Sequence, residues 1–289
     1  MTSPPISKLS LNAALLASVA FVTLLSLAQS GSALAATAPS LGSEGAFGVV
    51  SSTFTNSNTA PQTIINGNVC FTTGPTTPPL LVNGTSGACP AAAGGDQLAA
   101  LAILNGQSCT PLPVGVPLDA VVIGSNPPGT FPPDCYFRAG ALDITASTTV
   151  TLNGPGIYIF RSTGGALTTG ADSQVLLANG ACASDVFWAP VGATTLGANS
   201  APSLAAPTFQ GNILDAAGVS IGHFANLTGR ALAFGGTVLT DANTISIPTC
   251  TPFAARGGQG IPTLSGWPMV MLAALLAIAS LAALRRRSE

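Results

Sequence analysis

Residues 142–150 read LDITASTTV and residues 167–175 read LTTGADSQV, so two stretches of the same kind start 25 residues apart. Further β-rich runs start at Leu196, Ile221 and Val238, after intervals of 29, 25 and 17 residues. Corner signals that tolerate positive φ lie at Asn153-Gly154, Asn179-Gly180, Gly211-Asn212 and Gly235-Gly236. This spacing predicts coils of a β-solenoid, whose stacked short parallel strands bury Leu, Ile and Val. An antiparallel sandwich is the alternative, because it also has short strands at regular spacing.

One segment has helical periodicity. Leu98, Leu101, Ala102 and Leu104 place apolar side chains on one face, with Asp96 before them and Gly106 after them. Because aspartate caps helix N-termini and glycine ends helices, the pattern predicts one short α-helix that is capped by Asp96. We expect it to pack along the solenoid.

The composition excludes several classes of protein. The chain of 289 residues carries 8 Lys+Arg and 10 Asp+Glu, or 6% charged residues, against roughly 25% in an ordinary soluble domain. Coiled coils need charged flanking positions, nucleic-acid binders need a basic patch, and charge-driven disorder needs a large net charge. The low charge and the 33 Gly and 23 Pro residues favour thin, repetitive β architecture instead.

The N-terminal segment has the pattern of an export signal. Lys8 precedes an apolar stretch at residues 9–27, and Ala33-Leu34-Ala35 follows as an Ala-x-Ala site. We therefore predict a signal peptide at residues 1–35, recognised by the secretion machinery, and a mature chain that begins near Ala36. An uncleaved membrane anchor is the alternative.

The C-terminal segment has the pattern of a membrane helix. Residues 267–284 are apolar throughout, and Arg285, Arg286 and Arg287 follow directly. Eighteen residues in a helix span ~27 Å, enough for a thin bilayer. The arginines would stay cytoplasmic by the positive-inside rule, so the middle of the chain would face outward.

The same segment resembles a sorting signal. Ile261, Pro262, Thr263 and Leu264 come just before this apolar stretch and its basic tip. The arrangement is similar to the IPTL-type C-terminal signals of Gram-negative bacteria, although Gly266 stands where an acidic residue is common. The resemblance implies export across the inner membrane, a transient membrane anchor, cleavage by an exosortase-like enzyme, and release to the cell surface or beyond. A plain tail anchor is the alternative.

Residues 36–260, between these two ends, are acidic. They hold four arginines, nine carboxylates and no lysine, a net charge of −5. Such a segment has no electrostatic reason to bind nucleic acid. We divide it into a solenoid domain at residues 36–250 and a glycine-rich linker at residues 251–260.

The cysteines all lie in the exported part, and we predict three disulfides. No Cys-x-x-Cys pair and only one His are present, so the sequence predicts no metal site. Six cysteines allow 15 connectivities. The pairing we select joins Cys70 with Cys89, Cys109 with Cys135, and Cys182 with Cys250.

Four segments carry a family resemblance: LGSEGAF at residues 41–47, DVFW at 185–188, FQGNIL at 209–214 and LTGRALA at 227–233. Together they resemble the ice-binding-like proteins of bacteria, fungi and algae, over residues 41–247. The resemblance implies a right-handed parallel β-helix with one α-helix alongside, an all-β fold that agrees with the repeat pattern.

The resemblance also implies an ice-binding face with a T-A/G-x-T/N pattern. Thr145-Ala146-Ser147-Thr148 matches this pattern, whereas Thr169-Gly170-Ala171-Asp172 ends on a carboxylate. Asn226 and Thr244 extend the set in later coils. The candidate ice-binding residues are therefore Thr145, Thr148, Thr169, Asn226 and Thr244. A generic strand surface is the alternative, because Thr is common in strands.

Adsorption to ice, with the ice surface as partner, is therefore the expected function, and a structural or adhesive surface protein is the alternative. We expect no enzyme activity and no cofactor. His223 is the only histidine and lies in no nucleophile motif, so we expect a solvent-exposed or hydrogen-bonded corner residue. Asp172, Asp215 and Asp241 fall on repeating coils, where two carboxylates could act together as they do in glycosidases. The scarcity of aromatic residues, at 6%, disfavours sugar binding.

Overall fold

The computed structural model describes residues 36–57, 60–79, 81–200 and 209–251. The predicted signal peptide, sorting motif and C-terminal apolar segment lie outside these residues. Within the described part of the chain, no helix has both the length and the apolarity to cross a membrane.

Short strands and one α-helix make up the described chain. The strands are β1 (Phe47–Asn56), β2 (Ile64–Asn66), β3 (Asn68–Thr73), β4 (Leu81–Val82), β5 (Ser86–Gly87), β6 (Thr110–Pro111), β7 (Thr130–Phe131), β8 (Cys135–Arg138), β9 (Leu142–Ile144), β10 (Thr149–Asn153), β11 (Tyr158–Ser162), β12 (Ala166–Thr169), β13 (Gln174–Ala178), β14 (Val186–Ala189), β15 (Gly192–Leu196), β16 (Phe209–Leu214), β17 (Val219–Ile221), β18 (Leu227–Thr240) and β19 (Thr244–Ser246). The helix α1 spans Ala93–Asn105, and 3-10 turns lie at Gly42–Ala46, Leu118–Ala120 and Ala183–Asp185.

The strands form three parallel ladders. Ladder I runs through β6, β8, β11, β14, β16, the first half of β18, the first half of β1, β3 and β5. Ladder II runs through β9, β12, β15, β17 and the second halves of β18 and β1. Ladder III contains β7, β10 and β13, and further along the stack β19, β2 and β4.

Two successive turns of the chain each add one strand to each ladder. The turn β8–β9–β10 is followed by β11–β12–β13, and the two turns pair in parallel at Cys135 with Ile159, Leu142 with Leu167, and Thr149 with Gln174. The β-solenoid predicted from the repeat at residues 142 and 167 is therefore confirmed, and the sandwich alternative is wrong.

The order of coils in the stack differs from their order in the chain. Strand β1 pairs with β18 on one side and with β3 on the other. The N-terminal coils therefore continue the stack beyond the coil that is formed last. After β5 the chain passes through α1 and starts the opposite end of ladder I with β6.

Two apolar cores hold the stack together. Inside the coils, Phe131, Tyr136, Phe160, Trp188 and Phe209 form a column with ring centroids 4.4–5.2 Å apart. Outside ladder I, Ala100 and Leu104 of α1 pack in a second cluster with strand residues that include Ile159, Phe187 and Leu214. Ladder I is therefore buried on both faces, which explains continuous apolar runs such as VFWA in β14.

The predicted helix is confirmed, but the predicted cap is wrong. Helix α1 begins at Ala93, with Ala92 as N-cap and no side-chain cap hydrogen bond. Asp96 lies in the first turn, and its carboxylate accepts a hydrogen bond from the backbone N–H of Ser43 at 2.8 Å. The aspartate is therefore used to attach the preceding segment to the helix.

All three selected cysteine pairs are bonded. Cys70–Cys89 joins β3 to the segment before α1, and Cys109–Cys135 joins the segment after α1 to β8. The helix is therefore attached to ladder I at both ends. Cys182–Cys250 links the segment before β14 to the segment after β19.

The corner predictions are confirmed in part. Gly154, Asn179 and Gly180 have positive φ at the corners after ladder III. Gly211-Asn212 instead lies inside β16, and Gly235-Gly236 lies inside β18. Gly211, at φ +115°, faces Gly229, where a Cβ would clash with the carbonyl oxygen of Gly211. Close approach of two strands, rather than a turn, requires glycine there.

Candidate functional site

The outer face of ladder II is the candidate site. Successive residues of a strand point to opposite sides of the sheet, and the burial of these strands alternates accordingly. In β9, Leu142 and Ile144 are buried and Asp143 is partly exposed. In β12, Leu167 and Thr169 are buried and Thr168 is exposed.

The residues that point outward at the centre of ladder II lie in register. The pairs are Asp143 with Thr168, Thr168 with Thr195, Thr195 with Ser220, Ser220 with Leu239, and Leu239 with Thr55. We call this set the outer row. Four of its six members carry hydroxyl groups, and its one charged side chain, Asp143, stands at one end.

A second set of small residues lies beside the outer row, three positions earlier in β15 and two positions earlier in the other strands. It includes Ala166 and Gly192, which are paired, and Thr53, which is paired with Thr237 and with Thr73. Adjacent coils of a parallel ladder lie about 4.8 Å apart, and alternate residues of one strand lie about 6.6 Å apart. The face therefore presents a two-dimensional array of methyl and hydroxyl groups without charge inside it.

The intact sequence motif lies at a corner, not on this face. Ser147 has φ +59°, and the hydroxyl of Thr148 donates to the carbonyl oxygen of Thr145 at 2.7 Å. The same turn recurs one coil later, where Asp172 has φ +56° and the hydroxyl of Ser173 donates to Gly170 at 2.8 Å. Residues 145–148 therefore align with residues 170–173, one position later than the predicted match at 169–172.

The structure does not bring the five predicted ice-binding residues into one row. Thr169 points inward, is only 7% exposed, and accepts a hydrogen bond from the N–H of Gly197 at 2.9 Å. Asn226 accepts one from the N–H of Thr244 at 2.8 Å. Thr145 is exposed, and its own N–H donates to Asp119 at 2.8 Å. Contact of these residues with ice stays a prediction.

A series of backbone hydrogen bonds connects the successive corners that lie between ladders II and III. The N–H of Ser147 donates to Ala171, that of Asp172 to Ala198, that of Asn199 to His223, and that of Phe224 to Asp241, at 2.8–3.2 Å. Asp172 also accepts bonds from the N–H and hydroxyl of Ser200, which lower the pKa of its carboxyl. These bonds therefore attach each corner to the corner of the next coil.

His223 lies at one of these corners and is hydrogen-bonded, as predicted. Its Nδ1 is 3.1 Å from Oδ1 of Asp241, and its side chain is 37% exposed. Asp215 is instead buried at the corner between ladders I and II. The three candidate glycosidase carboxylates therefore lie at different corners. Among the described residues, no group of three His, Cys, Asp or Glu side chains is placed to hold a metal ion.

The predicted ice-binding motif does not include the outer row. The members of this row are the single residues between two buried positions in runs such as LDI, LTT, TTL and VSI. This alternation is visible in the sequence, whereas the T-A/G-x-T/N motif lies at the corner that follows it. Thr168 and Thr195 each stand one position away from a buried threonine, Thr169 and Thr194.

Comparison with known proteins agrees with this architecture. The family model described as ice-binding-like matches residues 44–246. "Ice-binding protein" of Flavobacterium frigoris (strain PS1) is 32% identical over 131 residues, 45% of this chain and 43% of that protein. "Ice-binding protein 1" of Shewanella frigidimarina (strain NCIMB 400) is 37% identical over 112 residues, 37% of this chain and 12% of that protein.

A solved structure shows the same fold. The crystal structure of an ice binding protein from an Antarctic biological consortium has a TM-score of 0.57 and 26% identity, covering 73% of this chain and 92% of that one. The chain spans less than half the length of each of the two named relatives. Because the family match covers most of the solenoid, the chain belongs to the ice-binding-like family.

Proposed function

We propose that the protein adsorbs to ice through the outer face of ladder II. The observation that carries this proposal is the in-register row Thr168, Thr195, Ser220 and Thr55, interrupted once by Leu239. The names of the relatives support ice as the partner, since both are called ice-binding proteins.

The chemistry of the face suits an uncharged lattice. Threonine hydroxyls hydrogen-bond to water, and the adjacent methyl groups order water without competing for it. Because each strand is fixed by its neighbours in the ladder, the array is rigid and little entropy remains to be lost on adsorption. Charged side chains would hold their own hydration shells, and the array contains none inside its borders.

We also propose that the protein is exported and displayed. The support is in the sequence: an export signal at residues 1–35, an IPTL-type motif at residues 261–264 and an apolar segment with a basic tip at its C-terminal end. The three disulfides agree with an oxidising compartment. A surface position would place ladder II where ice forms.

The test uses purified residues 36–260 in assays of ice recrystallisation and thermal hysteresis. Thr168→Tyr and Thr195→Tyr each place a ring in the outer row, so we expect both variants to lose activity while they remain folded. Thr151→Tyr, on the outer side of ladder III, is the matched control and keeps activity. Ordinary ice growth with folded wild-type protein would rule the proposal out.

The same assays locate the contact surface. Thr148→Tyr changes the corner motif, whose hydroxyl is used inside its own turn. We expect this variant to keep most of its activity. Loss of activity in Thr148→Tyr, with full activity in Thr168→Tyr, would move the contact surface from ladder II to the corner.

A structural or adhesive surface protein is the second candidate. It is favoured by Leu239, which interrupts the outer row, and by the apolar outer side of α1, where Leu98 is 69% exposed. A folded wild-type protein without effect on ice would favour this second function.

A further inference from the structure

Polar side chains are buried beneath the corner between ladders I and II. Arg138 and Ser162 are paired in neighbouring coils of ladder I, and Asp215 directly follows β16 of the same ladder. All three side chains are at most 1% exposed. Each binds backbone at a corner: Arg138 donates to Ala141, Ser162 donates to Gly140, and Asp215 accepts from Ala217.

Asp215 differs from the other two because it also binds a side chain of the neighbouring coil. Its Oδ1 accepts the N–H of Ala217 at 2.9 Å, within its own corner. Its Oδ2 accepts the hydroxyl of Thr194 at 2.7 Å, and Thr194 belongs to β15 in the preceding coil. One carboxylate therefore joins the strand β15 of ladder II to the corner that leads into β17.

Strand β15 needs such a connection because its pairing is irregular. Ala166 pairs with Gly192 and Thr168 pairs with Thr195, so β15 contains one residue more than β12 between these positions. After this bulge Thr194 points inward and Thr195 points outward. A slip of one residue would exchange the two side chains and remove Thr195 from the outer row.

We propose that Asp215 is a positioning residue that fixes the register of β15 and β17 and so holds Thr195 and Ser220 in the outer row. This inference rests on the proposed function only in its link to ice. The structural claim in this inference is that the Thr194–Asp215 hydrogen bond determines which face of β15 Thr194 and Thr195 each occupy.

The burial of Asp215 supports a specific role. The side chain is 0% exposed, and burial raises the pKa of its carboxyl above the ordinary value, while hydrogen bonds with Thr194, Ala217 and Gly218 lower it. Burying a carboxylate is unfavourable unless hydrogen bonds replace its water. The hydrogen bonds that compensate for this burial lie where the chain enters the strands of ladder II. An apolar residue would fill the same place but would not direct these strands.

The test combines substitutions at both ends of the bond. Asp215→Asn keeps the shape but replaces one acceptor oxygen by a donor, and Thr194→Val keeps the volume but removes the hydroxyl. Thr194→Ser restores the hydroxyl and serves as the rescue variant. Leu214→Ala, which affects the cluster under α1 on the other side of β16, is the control for general loss of stability.

Two measurements are made on residues 36–260: thermal hysteresis, and amide hydrogen exchange of residues 194–196 and 219–221 relative to residues 186–189. We expect Asp215→Asn and Thr194→Val to lower hysteresis several-fold and to speed exchange in the first two segments only. Thr194→Ser retains wild-type values, and the double variant is no worse than either single one. Leu214→Ala lowers the unfolding midpoint but not hysteresis at temperatures where it is folded.

The inference would be overturned if Thr194→Val had the same hysteresis and the same hydrogen exchange as wild type. Because Thr194→Val is the milder variant, it decides the outcome if Asp215→Asn does not fold. A wild-type protein without hysteresis would overturn the link to ice. The exchange experiment would then still decide whether Asp215 fixes the register, so the two failures are distinguishable.

Discussion

Threonine has two separate roles in ladder II, and adjacent residues differ in role. Thr168 is exposed in the outer row, whereas Thr169 is buried and accepts the N–H of Gly197. Thr195 is exposed, whereas Thr194 is buried and donates to Asp215. Counting threonines therefore cannot identify a binding face, because half of these side chains serve the backbone or the interior.

A pair of substitutions separates the roles at adjacent positions. Thr169→Val leaves the part-buried N–H of Gly197 without its acceptor, so we expect a loss of about 1 kcal/mol in the free energy of unfolding. Thr168→Val removes only an exposed hydroxyl and changes stability by less than about 0.5 kcal/mol. Urea unfolding of both variants checks this. Equal losses would mean that the two threonines do not differ in role.

Glu44 gives the protein a pH-dependent stability. Its carboxyl is 0% exposed, and neither oxygen has a hydrogen-bond partner among the residues that the structure describes. Burial together with the charge of Asp96 raises its pKa from 4.5 to about 8. Between these two values the folded state keeps a proton that the unfolded state has released. The free energy of unfolding therefore falls as the pH rises from 4.5 to 8, by up to about 5 kcal/mol.

Glu44→Gln tests this dependence, because the amide does not titrate. We expect the variant to resemble wild type near pH 5 and to be more stable than wild type at pH 9, in urea unfolding at both pH values. Asp172→Asn is the control. Hydrogen bonds from Ser200 lower the pKa of Asp172, so it is ionised in both states over this range and its loss leaves the slope unchanged. A wild-type stability that stays flat from pH 5 to 9 would contradict the prediction.

Elements with local signals could be predicted from the sequence. The runs at residues 142 and 167 repeat because both cross the same corner between ladders II and III, and helix α1 has its apolar spacing and terminal glycine. The pairing of β1 with β18 could not be predicted, because it joins strands about 180 residues apart and leaves no period in the sequence. The outer row was missed for a related reason: it depends on register between coils.

Helix α1 offers a prediction at two neighbouring glycines. A Cβ on Gly95 would meet no atom within 4 Å, so Gly95→Ala adds helix propensity and should raise the free energy of unfolding by about 1 kcal/mol. A Cβ on Gly94 would lie 2.5 Å from the ring of Phe234. This clash should cancel the gain in helix propensity, so we expect Gly94→Ala not to raise the free energy of unfolding. Thermal or urea unfolding compares the two. A larger gain at Gly94 would contradict the contact with Phe234.

The whole molecule is a stack closed by contacts between distant parts of the chain. Strand β1 lies between β18 and β3, so the N-terminal coils cover an edge that the last coil would otherwise expose. The long return connection carries α1, which covers ladder I and is attached to it by a disulfide at each end. Ladder I is thereby buried, whereas no segment among the described residues covers ladder II in the same way.

The disulfide that closes the longer stretch of chain should stabilise this stack more, although the effect grows only with the logarithm of loop length. Cys182–Cys250 encloses 68 residues and connects the start of β14 with the segment after β19, two coils further along ladder I. Cys70–Cys89 encloses only 19 residues. Loop-closure entropy predicts a loss of about 4 kcal/mol for Cys182→Ser with Cys250→Ser, and about 3 kcal/mol for Cys70→Ser with Cys89→Ser.

Urea unfolding without reductant measures both double variants against wild type, and hydrogen exchange shows where each one loosens. We expect the larger loss in the Cys182 and Cys250 variant, with faster exchange in β19, because this bond fixes the C-terminal end of the last coil. In the other variant, exchange rises around β5 and the start of α1. If the 19-residue loop contributes as much as the longer one, then attachment of α1 to ladder I, rather than chain entropy, determines how the disulfides stabilise the stack.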